Sequence, residues 1–219
     1  MLLLLDSAII DEARQAAEWG WVSGATTNPT LLAKSDLPPI ETLLQMKKLL
    51  RGPIFYQLTA ETMDAMKEEA HLAEEVLGQQ LVLKIPAIPN GFKTAAALAD
   101  KYKIAITSVF TPAQALVAHA CGAQYALYYH NRAKRLLPDG AELAKKLIDV
   151  LAQTETRVVA ASLKSAEELI EARMAGVQIL SAPLQVLAAL PINEHSDAAV
   201  IDFRNNGIGL RNQPGKAVK

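Results

Sequence analysis

The chain has 219 residues, of which 51% are hydrophobic and 21% charged, and its formal net charge is −1. That is enough apolar material for a large core in one or two domains of an ordinary globular protein. The near-zero balance excludes a broad nucleic-acid or anionic-membrane footprint while leaving room for a local anion site.

The single Cys121 permits no intrachain disulfide, and its apolar helical surroundings read it as a structural thiol. Met1-Leu2-Leu3-Leu4-Leu5 lacks a basic start and Asp6 interrupts it, so no secretory signal is expected and the location implied is cytoplasmic. No other apolar segment reaches membrane-spanning length.

Residues 2–5 read as a buried strand, with a helix over 7–18 for which Ser7 is an available cap. A short strand over 22–25 runs into the polar turn Thr26-Thr27-Asn28-Pro29, followed by a short helix over 30–33 and a longer one from Pro38-Pro39 to about Leu50. Gly52-Pro53 punctuates, a third strand covers 53–57, and a long amphipathic helix covers 59–77. Strand four, 81–86, is followed by a helix over 92–101. Strand five, 104–108, precedes a helix that Pro112 opens and Gly122 closes. Strand six covers 125–129, a basic loop 130–140, and a helix 141–152. Strand seven covers 157–161, a helix 165–175, strand eight 177–180, and a helix 183–190. Regular strand–helix alternation implies parallel strands and right-handed crossovers, and eight such units predict an α/β fold, a closed (β/α)8 TIM barrel. No Gly-rich nucleotide fingerprint follows any strand, which disfavours an open doubly wound sheet. One more C-terminal helix over 193–206 completes a single domain of residues 1–206, and 207–219 reads as a loose tail.

Within strand four, Leu81-Val82-Leu83-Lys84-Ile85-Pro86 carries one cation in a wall that a parallel sheet buries on both faces. Burial favours the neutral amine; at the reference value of about 10.4 only about one lysine in a few thousand is neutral at pH 7. A neutral lysine at the C-terminal end of a strand is what Schiff-base chemistry on a carbonyl requires; the alternative is a lysine that snorkels or pairs with a carboxylate. The other predicted strand ends are polar as well: Asp6, Thr26 to Asn28, Gln57, Thr107, Tyr129 to Arg132, and Ser162 with Lys164. Singly, each has a structural use as a cap, a turn former or a packed aromatic. Collected at the functional face of a barrel, they fit an aldol mechanism. Lys84 attacks a ketone, Asp6 and Tyr129 are the candidate acid and base, Gln57 and Thr107 orient a water, Asn28 holds a substrate hydroxyl, and Arg132 with Ser162 forms a phosphate clamp beside a helix N-terminus. His71, His119 and His195 share no metal-ligand spacing with one another or with Cys121, so neither a metal nor another cofactor is expected.

Leu4-Leu5-Asp6, Gly24-Ala25-Thr26-Thr27-Asn28-Pro29, Val82-Leu83-Lys84-Ile85-Pro86, Tyr129-His130-Asn131-Arg132 and Ala160-Ala161-Ser162-Leu163-Lys164 together resemble the short-chain transaldolase family, which includes fructose-6-phosphate aldolase. The resemblance implies that Lys84 is the Schiff-base lysine and that Asp6, Asn28, Gln57, Thr107, Tyr129, Arg132 and Ser162 line the pocket. Thr26, Asn131 and Lys164, inside the same motifs, complete the candidate substrate contacts. It also implies a (β/α)8 barrel in ring-shaped homo-oligomers, pentamers or decamers, in which a C-terminal helix reaches a neighbour. The implied partners are a phosphorylated sugar or dihydroxyacetone, with no nucleic acid or membrane. In such proteins a glutamate on strand three accompanies transaldolases, and glutamine with a tyrosine on strand six accompanies aldolases. Gln57 and Tyr129 therefore imply reversible cleavage of fructose 6-phosphate to dihydroxyacetone and glyceraldehyde 3-phosphate. The alternatives are transfer of the dihydroxyacetone unit between sugar phosphates and a sugar-phosphate binding protein without turnover.

Three features depart from the family pattern. Leu127-Tyr128 replaces a small residue and proline, implying a narrower or reshaped pocket floor. Ala133-Lys134-Arg135 follows Arg132 where an acidic residue is usual within two positions, either as extra phosphate capture or as a solvated charge run. His130 beside Tyr129 reads as a surface imidazole, with a place in the proton relay as the alternative.

Overall fold

Leu-, Val- and Ile-rich segments alternating with amphipathic helices bury both faces of each strand, one against the other strands and one against the helices. In the computed structural model, which describes residues 1–210, the strands are β1 (Leu2–Asp6), β2 (Gly24–Thr26), β3 (Ile54–Gln57), β4 (Leu81–Pro86), β5 (Ile104–Val109), β6 (Tyr125–Tyr129), β7 (Arg157–Ala161) and β8 (Ile179–Ala182). All pair in parallel in sequence order and β8 closes on β1, so the expected (β/α)8 barrel is the fold. The helices are α1 (Ile10–Glu18), α2 (Pro29–Leu32), α3 (Pro39–Leu49), α4 (Met63–Leu77), α5 (Pro89–Leu98), α6 (Pro112–Ala120), α7 (His130–Leu136), α8 (Leu143–Val150), α9 (Ala166–Met174), α10 (Leu184–Ala189) and α11 (Glu194–Asn206).

Residues Met1–Leu187 make one compact unit containing the whole barrel, and a second unit begins at Ala188 and contains α11. Asn193 caps α11 by accepting from the amides of His195 and Ser196, and Val200, Ile201 and Phe203 on that helix are exposed. The tail expected from residue 207 falls largely outside the described residues.

Strand periodicity decides which side chains meet inside the barrel. Leu4, Phe55, Val82, Ala105, Tyr125 and Leu127, Val159 and Ala161, and Ile179 form the interior cluster, against which Leu2 and Tyr129 pack. Two residues beyond these plugs on the same faces stand Asp6, Gln57, Lys84, Thr107, Tyr129 and Ser181, because side chains alternate with period two. The apolar layers thus form a floor, and the polar residues form a crown at the C-terminal ends of the strands. Helix α5 approaches the end of β4 so closely that a Cβ on Gly91 would stand 2.0 Å from the Pro86 carbonyl oxygen, which explains a glycine inside a helix.

The largest departure from expectation is at residues 130–140, where α7 replaces the predicted loop. Asn131 to Leu136 contains Arg, Ala, Lys, Arg and Leu, which are good helix formers, and the helix stops at Leu137 because Pro138 forces its predecessor into an extended conformation. The predicted helix over 141–152 is correspondingly a short 3-10 turn, Gly140–Glu142, followed by α8. Helix α5 begins three residues earlier than expected with Pro89 in its first turn, and β8 lies two residues later, reaching Ser181 and Ala182.

Candidate active site

Lys84 is 2% exposed, and its Nζ donates to the Thr27 carbonyl oxygen at 2.7 Å. That acceptor is fixed, because both the amide and the Oγ1 of Thr27 donate to the Phe55 carbonyl at 2.9 Å. A neutral carbonyl offers the ammonium little compensation for lost water. Burial pushes the Lys84 pKa down to about 8, opposed by the negative charge of Asp6. About one molecule in ten then carries a free amine at pH 7.

Asp6 closes β1 beside it. The single proton of Thr26 Oγ1 goes to Asp6 Oδ1 at 2.8 Å, so Ser181, 2.5 Å from Thr26 Oγ1, donates in turn to that oxygen. Thr26 and Ser181 are fully buried, which makes Thr26 a support for the carboxylate rather than an open substrate contact. Burial holds the Asp6 carboxyl above the usual carboxylate range, against the Thr26 bond and the Lys84 charge.

Across the crown, Tyr129 Oη lies 3.1 Å from Thr107 Oγ1 and accepts a longer contact from Ser108 Oγ at 3.4 Å. The Arg132 guanidinium sits 4.6 Å from the centroid of the Tyr129 ring, a cation–π arrangement that carries Arg132 to the mouth of the barrel. Ser108 and Ser162, at the ends of β5 and β7, both hold left-handed backbone, φ 62° and 58°. Non-glycine residues in that region are strained and concentrate at sites that need an exact geometry. The amide of Asn131 donates to the Ser162 carbonyl at 3.4 Å, which brings the start of α7 to the Ser162 segment.

The remaining candidates are placed less uniformly. Gln57 is opposite Lys84 in the β3–β4 register and half-buried. A cavity of about 490 Å³ opens beside it, lined by Pro29, Leu58, Pro86 and Ile88 among others. Asn28 Oδ1 caps α2 by accepting from the amide of Leu31 at 2.9 Å, leaving its Nδ2 as the free donor. Asn131 Nδ2 donates outward to Glu168 Oε1 at 2.7 Å, and Lys164 is exposed with its amide on Glu168 Oε2 at 2.8 Å. Helix α9 is capped by Ser165, so Ser162 stands before the helix and does not begin it.

The family departures resolve by the same alternation. Leu127 is an interior plug, whereas Tyr128 points away from the pocket into the layer between barrel and helices, fully buried. His130 is 3% exposed rather than on the surface. Lys134 belongs to α7 and donates to Glu171 at 2.7 Å instead of projecting as part of a free basic loop. The sequence pattern alone does not single out Ser181, Ser108 or the Thr27 carbonyl. Ending the eighth strand at residue 180 hid Ser181, which the two-residue period from Ile179 would have identified.

A closed parallel barrel whose polar crown surrounds a buried lysine of lowered pKa is the arrangement of a lysine Schiff-base enzyme. The Transaldolase/Fructose-6-phosphate aldolase family matches residues 3–208, and the chain belongs to that family. It is 32% identical over 218 residues to a probable transaldolase of Hydrogenobaculum sp. (strain Y04AAS1), covering 98% of this chain and 100% of that protein. A probable transaldolase of Kosmotoga olearia is 32% identical over 210 residues, 94% and 95% of the two chains. Among solved structures, mandelate oxidase bound to (S)-2-phenylpropionate superimposes with TM-score 0.63 at 12% identity over 92% of this chain and 70% of that one, a likeness of fold alone. The protein is therefore an enzyme of Schiff-base aldolase or transaldolase chemistry.

Proposed function

We propose that the enzyme reversibly cleaves fructose 6-phosphate to dihydroxyacetone and glyceraldehyde 3-phosphate, with Lys84 as the nucleophile. The observation that carries this reading is the amide of Gln57, and not a carboxyl, in register with the buried Lys84, opposite the Tyr129–Thr107 pair.

The Lys84 amine adds to the C2 ketone and water leaves, giving an iminium. Asp6 accepts the proton of the C4 hydroxyl, the C3–C4 bond breaks, and its electron pair moves into the iminium to form an enamine while glyceraldehyde 3-phosphate departs. A raised Asp6 pKa suits this role, since a stronger base takes an alcohol proton more readily. Protonation at C3 regenerates an iminium, now of dihydroxyacetone, and water releases the product. Tyr129 supplies and removes the protons of the two water steps through a water oriented by Gln57 and Thr107, because an amide can orient a water but cannot itself shuttle its proton. Asn28 Nδ2 holds a substrate hydroxyl, and Arg132 with Ser162 takes the phosphate. The exposed apolar side chains of α11 support assembly into a ring of identical chains.

The second reading, a transaldolase, is favoured by the names of the relatives. A coupled assay for glyceraldehyde 3-phosphate released from fructose 6-phosphate separates the two. Release without an acceptor aldose is expected; release that requires erythrose 4-phosphate assigns the enzyme to transfer.

A further inference from the structure

The outer face of β6 carries a hydrogen-bonded chain that the proposed chemistry does not use. Tyr128, fully buried, has a hydroxyl that needs a partner, and it lies 3.1 Å from His130 Nδ1. The other ring nitrogen, Nε2, is 3.2 Å from Glu171 Oε2 on α9, and the same oxygen accepts from Lys134 Nζ at 2.7 Å. One turn earlier on α9, Glu168 receives Asn131 Nδ2 on one oxygen and the Lys164 amide on the other, at 2.7 and 2.8 Å.

The two carboxylates, at i and i+3, face the same way and grip different things. Glu171 holds Lys134 and, through His130, the first turn of α7. Glu168 holds the same turn through Asn131 and, with its second oxygen, the segment that follows Ser162. Arg132 is the residue of that turn that is directed instead to the barrel mouth, over Tyr129. A guanidinium on a flexible side chain binds a phosphate tightly only where its backbone is held, since ordering a rotamer-rich side chain costs conformational entropy that a preset backbone reduces.

We infer that His130, bridging Tyr128 to Glu171, is a positioning residue for the phosphate end of the substrate: it locks the first turn of α7 to α9 and so sets Arg132 against Ser162. The ligand class it serves is a phosphomonoester; an unphosphorylated substrate gains nothing from it. This rests on the reading of Arg132 and Ser162 as the phosphate clamp.

The test compares two aldehydes in addition of dihydroxyacetone, glyceraldehyde 3-phosphate and glyceraldehyde, with the variants His130→Ala, Tyr128→Phe, Glu171→Gln and Arg132→Ala. Loss of a hydrogen bond that orders a charged clamp is expected to raise the KM for glyceraldehyde 3-phosphate by roughly tenfold in His130→Ala, and to leave kcat and KM for glyceraldehyde within about twofold. Tyr128→Phe keeps the ring and removes only the hydroxyl, and Glu171→Gln keeps the shape and removes the charge. Both are expected to raise the same KM, by less, so the inference is decided even where His130→Ala folds poorly. His130→Gln, which retains a donor and an acceptor, is expected to recover part of the loss. A KM for glyceraldehyde 3-phosphate unchanged in Tyr128→Phe and Glu171→Gln, or raised equally for both aldehydes, overturns the positioning role. Failure of the clamp itself gives a different result: Arg132→Ala then leaves the preference for the phosphorylated aldehyde intact.

Discussion

The lowered pKa of Lys84 predicts the pH course of imine formation. The group is perturbed chiefly by burial, from an ordinary 10.5 to about 8, with the Asp6 charge pulling the other way. Taking the free amine as the reactive form, its fraction is about 1% at pH 6, about half at pH 8 and essentially complete at pH 10. Trapping of dihydroxyacetone by cyanoborohydride, followed by intact-mass spectrometry at subsaturating ligand, is therefore expected to accelerate about fiftyfold from pH 6 to pH 8 and only about twofold from pH 8 to pH 10. Neutralising the opposing charge in Asp6→Asn is expected to move the inflection to lower pH, while aldol cleavage, for which the Asp6 carboxylate is the proposed base, is expected to fall. A trapping rate that keeps rising about tenfold per pH unit up to pH 10 would refute the reasoning, because that is the course of an ordinary lysine. So would an inflection that Asp6→Asn leaves in place or raises.

Three further outcomes follow from the same geometry. Gln57→Glu puts a carboxyl that can shuttle protons opposite Lys84, and the ratio of transfer to cleavage, measured with fructose 6-phosphate and erythrose 4-phosphate, is expected to rise. Lys84→Met removes a linkage to pH: the unfolded chain holds the Lys84 proton more tightly than the fold does, so the contribution of Lys84 to stability increases with pH between about 8 and 10.5. Urea denaturation should show the difference between wild type and Lys84→Met changing by about 2 to 3 kcal/mol between pH 7 and pH 10, in favour of wild type at the higher pH. Glu69→Ala frees the segment after Gln57, since Glu69 accepts from Tyr56 Oη at 2.7 Å, the Thr59 and Ala60 amides at 2.8 and 2.9 Å, and Thr59 Oγ1 at 3.0 Å. A loss of about 2 to 3 kcal/mol in the same assay is expected for removing this charged acceptor.

The barrel was legible because its signals are local. Continuous apolar runs such as Leu2 to Leu5 are stable in a sheet only where both of its faces are covered, and Gly and Pro punctuate many of the connections between runs. The residues of the crown were legible for a related reason. Asp6, Gln57, Lys84, Thr107 and Tyr129 interrupt apolar strands at the one end of a parallel barrel where polar groups are useful. What the sequence did not yield is whatever depends on a partner far away in the chain. Asn131 reads as a pocket residue until Glu168, 37 positions later, is seen to hold it. His130 reads as a surface imidazole because nothing near it announces Glu171. Tyr128 looked like an obstruction of the pocket, although counting alternate residues from Tyr129 puts it on the other face. Thr26 is the converse case, a correct position at a strand end whose buried hydrogen bonds to Asp6 and Ser181 turn it from a substrate contact into a support.

The most direct measurement is peptide mapping after borohydride reduction of the enzyme with dihydroxyacetone. The expected result is a single reduced adduct on the peptide containing Lys84, lost in Lys84→Arg. An adduct confined to another lysine, such as Lys164, or no adduct under conditions that trap a known Schiff-base aldolase, would contradict the assignment of the nucleophile.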